Sequence, residues 1–260
     1  MHGSNGILAS YASAFRDLVN DRIWGKGESA AKALRLKDDR DWDFICVAMD
    51  VVEDASLALG SFLHFSLDGP TRYEDIGERY LRLYGLLSAA YVQQQAVLKL
   101  YSLMNCPNPK TIRDEFDKLE IRTLRHQLAS HSLDFLPLGE SRTQAFVPVR
   151  VGLSGFSCTV TENRGGATRT INLDEAVKAH CAAVTLVLDR IYEKSLKTIF
   201  KGQATKIAKF NKKLEDLRFV RDGNLILRFG EQGHEGGVRE IRMMFAAPRK
   251  TSHSGKNKGV

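Results

Sequence analysis

The sequence predicts a mainly α protein: a helical bundle that carries a small β insertion and is followed by a basic, β-containing C-terminal region. Three observations lead there. Apolar residues recur at steps of three and four through residues 44–67 and 73–104, the spacing of buried helix faces. That spacing gives way to strand-like alternation over 145–171 and returns after Asn172. The charge is skewed: the 260 residues carry a net +7, with 15 Lys and Arg against 6 Asp and Glu from Lys197 onward and near balance before it.

Residues 1–5 read as a loose start. Gly6 to Ile23 follows as a helix through Ile7, Tyr11, Phe15, Leu18 and Val19. The polar stretch Gly25 to Arg40 holds a short helix around Ala30 to Leu36. Asp41 or Asp43 can cap the next helix, Phe44 to Leu67. Apolar on most sides, with Asp50, Glu53 and Asp54 as its polar patch, this helix belongs at the centre of a bundle. Asp68-Gly69-Pro70 stops it.

The next helix has the cleanest periodicity in the chain, from Tyr73 through Ile76, Tyr80, Leu83 and Leu87 to Met104, broken only by Gln94. A second apolar stripe, Leu86, Ala89, Ala96, Leu100 and Leu103, lies beside the first. Together they give a surface wide enough for more than one neighbour, including a second subunit. Cys106-Pro107 ends the helix. Asn108 and Pro109 then start another, running to Asp134, with Asn108 as N-cap and Pro109 at the first helical position. Its acidic residues come early and its basic residues late, as the helix dipole prefers.

Ala145 to Val151, Phe156 to Thr161 and Ala167 to Ile171 read as strands, with Asn163-Arg164-Gly165-Gly166 as a turn. Asn172 and Glu175 form a capping box for a helix to Phe200 that rejoins the bundle. His180 lies on or beside its apolar side, where a satisfied core histidine is the ordinary outcome. Lys201 to Lys213 reads as a basic link, and Leu217 to Phe229 and Val238 to Ala246 as strands around the loop Gly230 to Gly237. Pro248 to Val260 reads as disordered. The domain division is therefore a lead-in over 1–42, the bundle with its β element over 43–201, and the basic region over 202–260.

No apolar run reaches the ~20 residues of a membrane span, and no signal-peptide pattern is present. Cys46, Cys106, Cys158 and Cys181 are far apart with no C-x-x-C pair, as expected of reduced core thiols in a cytoplasmic protein. P-loop, dinucleotide and G-x-S-x-G patterns are absent, so no cofactor is expected. The basic C-terminal region favours polyanions, RNA among them, and equally fits a solvated tail.

The chemistry concentrates near the end of the helix after Asn108, in Arg122, Arg125, His126, Ser130 and His131. A metal site is disfavoured: His126 and His131 are five apart, about 140° around a regular helix, with no carboxylate or Cys within a turn of both. Phosphoryl transfer suits these groups better, because imidazole moves protons near neutral pH and guanidinium grips phosphate through two hydrogen bonds. Arg125 and His131 differ by about 9 Å of rise and about 120° in a regular helix. They converge only if the arginine reaches along the axis, the last turn distorts, or a second subunit supplies part of the site. The alternative is that Arg122 and Arg125 pair with acidic residues of a neighbouring helix while the two His cap the helix end.

Arg125-His126-x-x-x-x-His131 resembles the R-x4-6-H signature of the HEPN superfamily, whose polar residue after the Arg is here His126. The resemblance covers roughly Asp43 to Asp134 and extends to the helix after Asn172. It implies a bundle of four or five helices, and a homodimer in which two copies of the signature face each other. It also implies metal-independent ribonuclease activity, in toxins or antiviral effectors restrained by an antitoxin or regulatory protein. On that resemblance Arg125, His126 and His131 are catalytic. Their neighbours Arg122 and Ser130 in the polar cluster are expected to bind substrate, and Glu53, an acidic residue of the 44–67 helix expected to face the cluster, to orient Arg125 or polarise a His. The same resemblance also fits a non-catalytic module that binds nucleic acid or protein, or a nucleotide-sensing subunit. Family toxins with a Tyr two residues after the signature His can be modified there; Leu133 stands at that place, which argues against that control.

Overall fold

The computed structural model describes residues 3–24, 27–70, 75–137, 139–163, 165–229 and 239–245. Expectations at Tyr73, Arg164, Gly230 to Val238 and Ala246 to Val260 fall outside them. The chain divides into two compact units, Met1–Leu214 and Glu215–Val260, and the division falls inside a helix.

The first unit is mainly helical. α1 (Ser4–Ile23), the short α2 (Ala30–Leu34), α3 (Arg40–Phe65) and α4 (Ile76–Leu103) come first. α3 buries Ile45, Met49, Val52, Ala55, Leu59 and Phe62, and α4 buries Leu83, Leu87, Ala90, Val97 and Leu100. These spacings put one face of each helix against the other. The pair is antiparallel, since Arg82 donates to Ser66 O at 2.7 Å at one end and Lys99 lies over the Phe44 ring at 4.2 Å at the other. Asp75 caps α4, accepting from Gly77 N–H at 2.7 Å. α7 (Leu173–Ile199) begins at the capping residue Asn172, whose side chain accepts from Asp174 and Glu175 N–H.

α1 belongs to the bundle rather than leading into it, and it begins at Ser4, inside the expected loose start. Leu8, Tyr11, Phe15 and Leu18 are buried, and the Tyr11 hydroxyl donates to Asp189 of α7 at 2.9 Å. Burial of α1 also explains the fate of Glu53. Its carboxylate accepts from Arg16 Nε of α1 at 2.9 Å, beside the Arg16–Asp50 contact at 2.8 Å. The expectation that Glu53 faces the Arg-His cluster is therefore corrected: the face of α3 that carries it is turned to α1.

β1 (Phe146–Ser154), β2 (Ser157–Glu162) and β3 (Thr168–Asn172) form an antiparallel meander. Its register shifts between Pro148 and Leu153. Gly152 lies in that shift, where a Cβ would come within 2.5 Å of the Thr159 side chain, so the close approach requires glycine. The β1–β2 turn is fastened to the end of α3 by Leu67 N–H to Gly155 O and Gly155 N–H to Asp68, both at 2.9 Å.

The expected basic link is a helix, α8 (Ala204–Arg221), and the strand expected from Leu217 is confined to β4 (Leu225–Phe229). Phe210 and Leu214 are its buried positions, while Lys206 and Lys209 bond Asp21 and Lys213 bonds Asp17 on α1. In the second unit, β4 pairs with β5 (Arg239–Met243). Asp216 accepts from Arg228 and Arg242, and Glu240 accepts from the same two at 3.0 and 2.8 Å.

Among the described residues no helix is long and apolar enough to cross a membrane. All four cysteines are free thiols. Burial pushes Cys106 and Cys158 up to about 11 and Cys181 up to about 12, which leaves them protonated and inert.

Candidate active site

The helix expected from Asn108 to Asp134 is three pieces. α5 (Pro109–Asp117) ends at Lys118, Leu119 is extended at φ −70° and ψ 134°, and α6 (Glu120–Arg125) starts after it. A single turn of π-helix, His126–Ser130, follows directly. The break has a packing cause. A continuous helix would carry the face of Ile112 and Phe116 on through residues 119, 120 and 123. The buried residues are instead Ile121, Leu124 and Leu128, so the chain must re-phase.

The π-turn brings the two histidines together. His131 N–H donates to His126 O at 2.7 Å, a bond across five residues, so residues five apart lie one above the other. The two imidazole rings are 6.1 Å apart and tilted by only 25°. The last turn is therefore distorted, one of the three routes by which Arg125 and His131 were expected to converge, and the pair it joins is His126 and His131. His131 is half exposed and its Nδ1 lies 3.3 Å from Asp134. Burial, then the charges of Arg122 and Arg125, push the His126 imidazole below its ordinary value, so it is neutral at pH 7.

Both arginines meet at Tyr91 of α4. Their guanidinium carbons lie 3.9 Å (Arg125) and 4.6 Å (Arg122) from its ring centre. They differ in everything else. Arg122 is 11% exposed, donates to Gln94 at 3.1 Å and lies 3.3 Å from Asp117, so it is an inward keystone rather than an open phosphate ligand. Arg125 is half-buried and, among the described residues, pairs with no carboxylate. Ser130 is exposed at the end of the π-turn. Glu53 is not in this group.

Arg122 is the outer end of a buried polar chain. Gln94 donates to His180 Nδ1 at 3.2 Å, and His180 Nε2 donates to Gln93 at 2.8 Å. Gln93 in turn donates to Ser56 Oγ at 3.0 Å and Val52 O at 2.9 Å. One neutral tautomer satisfies both ring nitrogens, and burial pushes His180 down to about 4. His180 is thus a satisfied core residue, as expected.

No family model, curated protein or solved structure matches this chain. The site is weighed on its own residues. Sequence reasoning missed Tyr91, Asp117 and Asp134. The signals were slight: Tyr91 flanks an apolar stripe, and Asp134 follows His131 by three. Gln94 had announced itself as the break in an otherwise apolar pattern. Among the described residues no group of three or more His, Cys, Asp and Glu is placed to hold a metal ion.

Proposed function

We propose that the protein is a metal-independent endoribonuclease of the HEPN type, acting as a homodimer. The observation that carries this reading is the π-turn, which stacks His126 and His131 beside an arginine without a carboxylate partner. π-turns of this kind are frequent at functional sites. His131 takes the proton of an RNA 2′-OH and the alkoxide attacks the adjacent phosphorus. Arg125 offsets the charge that builds on the phosphorane, and its stacking on Tyr91 holds the guanidinium in place beforehand. His126, neutral in the free protein, positions the strand and gains its proton as the phosphate arrives, then passes it to the departing 5′ oxygen. The products are a 2′,3′-cyclic phosphate and a 5′-OH. Exposed Phe44 and Val47 on α3, with Val92 on α4, offer an apolar surface to a second subunit. A toxin or antiviral role, with a restraining partner protein, fits the same reading.

A second reading has its own support: Arg122 turns its two terminal nitrogens inward to Gln94 and Asp117, and His131 lies against Asp134, as in a module that binds nucleic acid or protein without cleaving it. Labelled RNA incubated with the purified protein in excess EDTA separates the two. Cleavage that persists in EDTA and falls by about 10²–10⁴-fold in His131→Ala and Arg125→Ala supports the enzyme. RNA retained intact by all three proteins supports the module and removes the enzyme.

A further inference from the structure

Between the π-turn and one face of the meander lies a cleft of about 530 Å³, inside the range of ~300–1,000 Å³ typical of small-molecule sites. Strand register determines what faces it: Phe146 is opposite Glu162 and Val160 opposite Arg169, so these four share a face. His126 lines the cleft from the helix side.

Three features define what the cleft suits. First, it is aromatic: Phe135 and Phe146 meet edge to face at 5.4 Å and 85°, both half-buried, which leaves a flat ring a surface to stack on. Second, it is held in shape. Phe135 and Gln144 exchange both backbone hydrogen bonds at 3.0 and 2.7 Å, and Phe146 N–H donates to Ser132 O at 2.7 Å. Third, it is not built for an anion. The guanidinium among its described lining residues, Arg169, donates to Glu120 at 2.5 Å and Gln127 at 2.7 Å, while Asp117 and Glu162 add carboxylates.

We infer that this cleft is a guanine subsite, which holds the base next to the scissile phosphate; the inference rests on the ribonuclease reading. Guanine presents two adjacent N–H donors and a carbonyl on its pairing edge. The Glu162 carboxylate, which already accepts from Asn163 at 3.0 Å, keeps lone pairs for those donors. The Gln144 side-chain amide, which takes no partner among the described residues, donates to the carbonyl. Adenine would turn a ring-nitrogen acceptor toward the carboxylate and lose this match. His126 belongs to both halves of the arrangement: its ring lines the cleft and stacks on His131. A nucleotide with its base in the cleft therefore brings its phosphate to the histidine pair.

The test measures base binding separately from cleavage. Calorimetric titration of the full chain with guanosine and adenosine is repeated on Glu162→Gln and Gln144→Leu, with thermal melts to establish that each folds. The expected result is preferential guanosine binding, weakened about ten- to hundredfold in Glu162→Gln and weakened in Gln144→Leu. Equal affinity for the two nucleosides, no binding of guanosine at millimolar concentration, or indifference to both cleft substitutions overturns the subsite. Cleavage mapping distinguishes this from failure of the ribonuclease reading. EDTA-resistant cuts without preference at guanosine sink the subsite alone, whereas selective guanosine binding without any cutting sinks the enzyme alone.

Discussion

At the scale of single residues, the two histidines closest in sequence and the one buried in the core differ in what surrounds them. His126 is kept neutral by partial burial and by Arg122 and Arg125. An anion beside it reverses that influence, because a negative charge favours the imidazolium. Titration of the ring by NMR, with and without a DNA oligonucleotide that lacks the 2′-OH and so stays uncut, should show the His126 pKa rising on binding. A His126 value that does not move while the oligonucleotide is bound would remove the proton-donor role assigned to it. His126 and His131 themselves were legible from sequence as a polar cluster at a helix end. Tyr91 was not, since a tyrosine beside an apolar stripe looks the same whether it packs a core or aligns two guanidinium groups. Glu53 was misplaced for a related reason: three carboxylates on α3 fit several neighbours, and only the docking of α1 through Arg16 decides between them.

Elements that bury one continuous stripe were readable: α1, α3, α4 and α7 follow their apolar spacing, and the capping box at Asn172 marks the start of α7 to the residue. Two elements were not. The chain from Pro109 to Ser130 has helical composition throughout, so the extended Leu119 and the π-turn are visible only as a slip in the phase of buried residues. α8 hides its Phe210 and Leu214 among lysines whose partners, Asp17 and Asp21, are far away in sequence. Arg169 ties β3 to both α6 and the π-turn through Glu120 and the buried Gln127. Arg169→Leu leaves the Gln127 carbonyl without its donor and should cost about 1–3 kcal/mol in urea unfolding. Glu120→Gln removes only an exposed ion pair and should change stability by less than about 1 kcal/mol. Equal effects of the two substitutions would mean that the tie does not depend on Gln127.

For the whole molecule, the buried polar chain through His180 makes stability depend on pH. Its folded value of about 4 lies below the ordinary 6.5, so the unfolded chain takes up the proton first. The stability it contributes is complete above pH 6.5 and is lost as pH falls toward 4, up to about 3 kcal/mol. Urea unfolding of His180→Gln should therefore show a shallower decline between pH 7 and pH 4 than the parent protein. Parallel declines would show that the ring stays uncharged for some other reason or is already solvated. The grip of α8 on α1 carries a consequence of a different kind. Lys206 and Lys209 share the single carboxylate of Asp21, and Lys213 pairs with Asp17, so two of these three positive charges are offset at home and a tally of the basic C-terminal stretch overstates the field that leaves it. A polyanion drifting toward these lysines meets two closed dipoles and one surplus cation. Attraction there is weaker than three bare lysines would give, and dissolved salt erodes it less than the sequence total would suggest.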